Sequence, residues 1–274
     1  MFDVILIGCG ITGAATAYEL SKYRLSVAVL ERENDVACGA TKANSAILHA
    51  GYDPEPGSLM ARCNVRGAAL ARELCRKLDV PYRPTGSLVI AFHAGERAAL
   101  EALYARGLRN GVPGLELLDG STARALEPSL SPQVIAALHA PTAAICSPWE
   151  YCLALAETAV RNGVQVHLSS GVTAIRRVGG GWRLETASGS YEARLQADRL
   201  HDLAAPHAFT LRGVRGQYHL LDKSEGSRVS HVVFPCPGPQ GKGVLVAPTV
   251  HGNLIVGPNA EPVEGGDTAT TSQG

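Results

Sequence analysis

The sequence predicts an α/β fold: a parallel βαβ unit at the start of the chain, followed by an α+β region with an antiparallel sheet. Three observations predict it. A continuous apolar run, Val4-Ile5-Leu6-Ile7, is followed at once by glycines, an Ala-rich helical stretch and a second apolar strand, all within the length of one βαβ unit. Short apolar segments between residues 164 and 195 are broken by Gly-rich turns. The chain has 274 residues, 46% of them hydrophobic, enough to bury the core of one large domain or two modest ones.

The elements follow in order. Val4 to Ile7 suits a strand buried on both faces, Ala14 to about Tyr23 a helix, and Leu25 to Leu30 the second strand. Residues 34 to 57 are small, polar and Gly/Pro-rich, so they predict a long loop with at most one short helix, ordered by a ligand or partner rather than by its own packing. Leu59 to Leu78 is amphipathic, with Cys63, Gly67, Leu70, Leu74 and Leu78 at helical spacing. Gly86 to Phe92 predicts a strand and Glu96 to Arg109 a helix. Ser147-Pro148-Trp149-Glu150 has the form of a capping box with proline at the first helical position, which starts a helix running to Asn162-Gly163. Val164 to Leu168, Val172 to Arg176, Trp182 to Thr186 and Tyr191 to Leu195 predict an antiparallel meander, with turns such as Gly179-Gly180-Gly181. Gln217 to Leu221 predicts a further strand, and Val244 to Ala247 with Leu254 to Val256 a hairpin. Residues 265 to 274 form a polar end.

Composition excludes several classes. Lys plus Arg and Asp plus Glu are both 25, so the net charge is zero and there is no basic field for nucleic acid or anionic lipid. The seven cysteines form no CxxC pair, which suits a reducing cytosol. The start of the chain has too short an apolar run for a signal peptide or a membrane span, so a soluble, cytoplasmic protein is expected. His139, His167, His207 and His251 lack metal-ligand spacing, and no metal is predicted.

The chemistry lies first in Gly8-Cys9-Gly10-Ile11-Thr12-Gly13, a GxGxxG set between a buried strand and a helix. Gly8 suits the tight turn, Gly10 the close approach of backbone to a pyrophosphate, and Gly13 close helix packing. Ile11 and Thr12 complete the motif directly before the helix whose N-terminus attracts the anion. Glu31 ends the second strand, where a carboxylate accepts hydrogen bonds from ribose hydroxyls, and Arg32 beside it leaves a 2′-phosphate open. These residues predict a dinucleotide site on a Rossmann-like domain.

The segment Thr41-Lys42-Ala43-Asn44-Ser45-Ala46-Ile47-Leu48-His49-Ala50-Gly51 carries small and hydroxyl side chains suited to an extended ligand. With Asn44 to Tyr52, Pro56 to Leu59, Gly86 to Ala91 and Arg215-Gly216-Gln217-Tyr218, the sequence resembles the D-amino-acid-oxidase-like superfamily of FAD proteins. The resemblance is to its glycerol-3-phosphate dehydrogenase and L-2-hydroxyglutarate oxidase-like branch, and it covers most of the chain. It implies FAD as cofactor and oxidation of a CH–OH or CH–NH carbon by hydride transfer to flavin N5, with oxygen, a quinone or another acceptor reoxidising the flavin. It further implies that Thr41, Asn44 and Ser45 lie along the pyrophosphate and ribityl chain, that the Val172 strand touches adenine, and that His49 lies close to the flavin. His49 suits the base that takes the substrate hydroxyl proton, or a packed histidine that shapes the flavin site. Arg215 and Tyr218 could meet an anionic substrate in the second domain, or simply face solvent.

The implied organisation is an FAD-binding domain from residues 1–80 and 140–205 and a substrate domain from 81–139 and 206–274. A homo-oligomer is compatible with it. Two features depart from the family pattern: after Arg194 the expected buried apolar strand looks deleted, and the chain stops before the Gly-rich segment that closes over the flavin in relatives. Each departure should expose apolar surface and remove cofactor contacts. The leading function is oxidation of a 2-hydroxy acid or glycerol 3-phosphate. The alternatives are an amine or amino-acid oxidase and a non-catalytic remnant of the same fold.

Overall fold

Regular structure begins where the apolar runs predict it. The computed structural model describes residues 1–197, 213–238 and 243–263. In chain order the elements are β1 (Phe2–Ile7), α1 (Ile11–Leu20), β2 (Val27–Leu30), β3 (Ile47–Leu48), α2 (Leu59–Lys77), β4 (Tyr82–Arg83), β5 (Ser87–Ala91), α3 (Ala94–Arg109), β6 (Glu116–Asp119), α4 (Gly120–Leu126), β7 (Ala136–Ala140), β8 (Ala144–Cys146), α5 (Pro148–Arg161), β9 (Gln165–His167), β10 (Val172–Val178), β11 (Gly181–Thr186), β12 (Gly189–Ala197), β13 (Gly213–Arg215), β14 (His219–Leu221), β15 (Val232–Pro235), β16 (Leu245–Pro248), β17 (Leu254–Gly257) and β18 (Glu261–Val263). Contacts divide the described residues into one unit of Met1–Asn44 with 148–197 and a second of Ser45–Ser147 with 213–238 and 243–263. Residues 45–80, placed with the first domain on sequence, group with the second unit by contacts.

The first unit is a six-stranded sheet in the order β10-β11-β12-β1-β2-β9. β1 runs parallel to β2, with Val4 opposite Val27 and Ile7 opposite Leu30, which is the predicted βαβ unit. Its helix starts at Ile11 rather than Ala14, because Gly10 takes up an extended conformation and serves as the N-cap. Strands β10, β11 and β12 form the predicted antiparallel meander. The segment around Val166 does not join it. Helix α5 reverses the chain, so β9 lies parallel to β2 at the opposite edge. Ile5, Ala28, Leu30, Ile175, Leu184 and Ala193 form the core. Burying each large aliphatic side chain contributes about 1.5–3 kcal/mol.

β12 corrects the expectation of a lost strand. Its first part pairs with β11, Gly189 opposite Thr186 and Ala193 opposite Trp182, and its end continues beside β1, Leu195 opposite Val4 and Ala197 opposite Leu6. β1 therefore keeps a parallel neighbour on both sides. The continuation from Asp198 to Arg212 and the polar end lie outside the described residues.

The second unit carries a seven-stranded sheet, β14-β17-β16-β15-β5-β7-β6, a three-stranded sheet β3-β8-β4 and the pair β13-β18. β16 and β17 form the predicted hairpin. Leu100 and Leu103 of α3 pack with Val89, Leu138, Val232 and Phe234 into its main core. Helix α2 forms as predicted, with Ser58 Oγ accepting the Ala61 N–H at 3.1 Å as N-cap, but its buried residues are Ala61, Ala71 and Cys75. Cys63 is exposed and Leu70 is 43% exposed, so the buried stripe is offset from the predicted one. Two interleaved stripes share the same spacing, and small side chains allow the closer approach. Helix α5 starts at Pro148 as predicted, yet the buried Ser147 hydroxyl has no hydrogen-bond partner among the described residues, so the capping box is not closed from its side.

Within the segment 34–57, local hydrogen bonds form turns. Lys42 and Ala43 N–H donate to the Gly39 and Ala40 carbonyls, and Asn44 Nδ2 donates to the Ala40 and Thr41 carbonyls at 3.0 and 2.8 Å. Among the described residues all seven cysteines are free, no group of His, Cys, Asp or Glu could hold a metal, and no helix is long and apolar enough to cross a membrane.

Candidate functional site

At the end of β1 the chain must turn at once into α1. Gly8 makes the turn at φ +92°, a left-handed conformation that disfavours a side chain, and its N–H donates to the Leu30 carbonyl at 2.8 Å. A Cβ on Gly10 would lie 3.1 Å from Thr41 Oγ1, and a Cβ on Gly13 would overlap the Gly8 carbonyl oxygen. Helix α1 can lie this close to the turn only with glycine there. Within its first turn Ala14 N–H donates to the Gly10 carbonyl at 2.9 Å, and Ile11 N–H donates to Thr41 Oγ1 at 3.0 Å. Helix geometry leaves the Thr12 and Gly13 N–H groups without an intrahelical acceptor, and the helix dipole adds positive potential at the same end. A bare backbone turn with free donors fits a diphosphate.

Glu31 completes this arrangement from the end of β2. Its carboxylate is buried, Oε2 accepting the Cys9 N–H at 2.6 Å and Oε1 the Glu33 N–H at 3.0 Å. Each oxygen keeps a lone pair for a hydroxyl donor. The Glu31 backbone is held by its N–H to the His167 carbonyl at 2.9 Å and by the Ser170 N–H to its own carbonyl at 2.7 Å. Val172, half-buried, opens β10 two residues beyond Ser170. Arg32 points to solvent and pairs with Glu33 at 2.8 Å, its side chain 75% exposed. Hydrogen bonds thus bring the glycine turn, Glu31 and Thr41 together, and Asn44 closes the turn that carries Thr41. Thr41 as acceptor of the first helical N–H had no local signal, because its partner Ile11 lies 30 residues away.

The second unit holds the other candidates. Ser45 and Tyr218 share a side-chain hydrogen bond, and burial pushes the Tyr218 phenol up. Ala46 follows at φ +62°, and its carbonyl accepts the Cys146 N–H at 3.1 Å. Pairing of Ile47 with Ile145 and of Leu48 with Ala144 sets the position of His49. Its ring lies 5.7 Å from that of Phe234, and both line a cavity of about 110 Å³ with Tyr52, Asp53, Met60, Asn64, Val89 and Leu103. The Tyr52 phenol, buried and hydrogen-bonded to Ser87, is pushed well above its ordinary value by burial. Helix α3 holds the loop wall: Arg106 donates to the Asp53 carbonyl at 2.8 Å, and Asn110 Nδ2 donates to the Gly51 and Pro54 carbonyls at 2.9 and 2.8 Å. Arg215 donates to Glu261 at 2.8 Å, opposite it in the β13-β18 pair, so its charge is balanced within the unit. Phe234 and Asn64 went unrecognised in the sequence, and Tyr52 entered only as the end of the Asn44–Tyr52 stretch. Only Asn64, a polar residue on the buried side of an amphipathic helix, carried a local signal.

Comparison with known proteins agrees with this geometry. The family model described as DAO, FAD dependent oxidoreductase, matches residues 3–274. The chain is 45% identical over its full length to a glycerol 3-phosphate dehydrogenase of Caloramator mitchellensis, of which it covers 59%. It is 32% identical over 94% of its length to the mitochondrial L-2-hydroxyglutarate dehydrogenase of Caenorhabditis elegans, covering 63% of that protein. Among solved structures, dithionite-reduced L-α-glycerophosphate oxidase from Mycoplasma pneumoniae with FAD bound superposes with a TM-score of 0.87 at 31% identity, over 95% of this chain and 72% of that one. The chain spans less than two thirds of the first two relatives. With the family match running from Asp3 to Gly274, the chain belongs to the DAO family of FAD-dependent oxidoreductases.

Proposed function

We propose that the protein oxidises the CH–OH carbon of a small anionic hydroxy compound, glycerol 3-phosphate or a 2-hydroxy acid, with FAD as hydride acceptor. The observation that carries this reading is the 45% identity, along the whole chain, to a protein named glycerol 3-phosphate dehydrogenase. The relatives' names favour a hydroxy compound over an amine or amino acid. Residues 1–80 and 140–205 are read as the cofactor domain and the remainder as the substrate domain. In the first, Gly8, Gly10, Ile11, Thr12 and Gly13 present backbone to the pyrophosphate, Glu31 accepts from ribose hydroxyls, Thr41, Asn44 and Ser45 line the extended cofactor, and Val172 lies at adenine. Arg32, exposed and paired with Glu33, follows Glu31 in the chain. The seven free thiols suit the reducing cytosol.

When bound, FAD supplies the two-electron acceptor at its flavin ring. His49 takes the hydroxyl proton from the substrate, a role an imidazole can fill near neutral pH. The Phe234 ring packs beside that imidazole, and the α3 side chains hold the loop that follows it. Tyr218 offers a phenolic donor to the anionic group, while Arg215, neutralised by Glu261, supports the strand that precedes it. Stopped-flow reduction of bound flavin by glycerol 3-phosphate and by L-2-hydroxyglutarate tests the reading, with flavin content measured separately. His49→Asn should retain FAD and reduce flavin about 10²- to 10⁴-fold more slowly. An unchanged rate at full occupancy removes His49 from the chemistry, and reduction by neither compound overturns the substrate class.

A further inference from the structure

The turn between β1 and α1 is held by a thiol from a distant helix. The carbonyl of Cys9 accepts two hydrogen bonds, from the Ala37 N–H at 3.1 Å and from Cys152 Sγ of α5 at 3.4 Å. Its N–H donates to Glu31 Oε2 at 2.6 Å. Both cysteines are fully buried, and α5 packs against α1, so the thiol faces the loop and not solvent. The consequence follows from peptide geometry. A trans peptide sets the Cys9 carbonyl and the Gly10 N–H antiparallel in one rigid plane. Pinning the carbonyl toward α5 and Ala37 therefore turns the Gly10 N–H away from them.

We propose that Cys152 is a positioning residue for the cofactor loop: its S–H, donated to the Cys9 carbonyl, orients the Cys9–Gly10 peptide so that the Gly10 N–H is aimed at the pyrophosphate before FAD arrives. This rests on the reading of the glycine turn as the FAD site. The donor must be a neutral thiol, and burial, reinforced by the neighbouring Glu31 carboxylate, pushes the Cys152 thiol up to about 12. The S–H thus persists across the physiological range. A thiol is a weak donor, so the effect on affinity is modest and lies in preorganisation: a loop already oriented loses less freedom on binding.

Three variants separate the donor from its volume. Cys152→Val keeps an apolar side chain of similar size without the donor, Cys152→Ser keeps a donor, and Gly10→Val blocks backbone approach. FAD affinity is read by quenching of flavin fluorescence, and loop order by hydrogen exchange of the Gly10 amide in the FAD-free chain. Cys152→Val should bind FAD about 5- to 10-fold more weakly and speed Gly10 exchange, Cys152→Ser should stay within about twofold on both, and Gly10→Val should lose binding altogether. If Cys152→Val matches the parent on both readouts, or Ser and Val are equally impaired, the donor role is overturned. If Gly10→Val binds FAD as the parent does, the FAD site itself is misplaced. Gly10 exchange then still decides whether Cys152 orders the loop.

Discussion

The glycine turn of the first unit and the cavity wall of the second reach defined geometry by different means. In the turn, backbone does the positioning: Gly8 at φ +92°, Gly13 against the Gly8 carbonyl, and Glu31 bonded to Cys9 from 22 residues away. At the cavity, side chains from far along the chain hold a loop: Asn110 reaches the Gly51 carbonyl across 59 residues and Arg106 the Asp53 carbonyl across 53. A site made of backbone tolerates almost no added atom at its few contact points. A site made of side-chain staples depends on many bonds of about 0.5–1.5 kcal/mol each, and losing one loosens the wall without abolishing it.

The sharpest way to break this comparison is Gly13→Ala. A methyl group there meets the Gly8 carbonyl, a backbone atom that cannot swing away, so α1 must shift. Destabilisation of about 3 kcal/mol or more is expected, with loss of FAD retention, read by denaturant unfolding and flavin absorbance. A variant as stable as the parent would show that the turn yields after all.

Glu127 tests the staples of the second unit. It follows α4, and its buried Oε2 accepts the Ser230 N–H and hydroxyl, both at 2.7 Å, and the His231 N–H at 3.0 Å, with His231 Nδ1 also at 3.0 Å. Glu127→Gln should cost about 1–3 kcal/mol, because buried donors lose their charged acceptor. Burial raises the Glu127 carboxyl, but the donors of Ser230 and His231 more than reverse this and leave it below its ordinary value of 4.5. A depressed carboxyl binds fewer protons folded than unfolded. Its stabilisation is therefore present above about pH 4.5 and lost as pH falls through the folded-state value. Urea midpoints followed from pH 6 to 3 should drop less steeply in Glu127→Gln than in the parent, and parallel curves would deny the carboxylate this role.

The smallest expected effect is at Ala46, held at φ +62° between Ser45 and the short strand that positions His49. Ala46→Gly relieves that conformation and should stabilise by up to about 1 kcal/mol, less whatever backbone freedom glycine adds to the unfolded chain. A lower melting temperature would mean the left-handed backbone carries no strain here.

The residues read as the nucleotide half of the site were legible because their determinants are local. A buried strand, three glycines at fixed spacing, a helix and a terminal carboxylate about 20 residues on all express one geometric requirement, and each can be read without knowing the fold. Family resemblance extended this to Asn44, Ser45 and His49. Tertiary structure alone decided the rest. Two apolar stripes of equal spacing ran along α2, and packing chose the one through Ala61, Ala71 and Cys75. The short strand near Val166 looked like part of the meander, but parallel pairing with β2 depends on where α5 returns the chain. The end of β12 fills the place beside β1 because a strand edge left open in a parallel sheet is costly, a fact about the sheet that residues 189–197 do not display by themselves. Thr41 at the Ile11 N–H, Cys152 at the Cys9 carbonyl and Phe234 beside His49 are contacts between distant segments, and sequence periodicity records only which neighbours share a face.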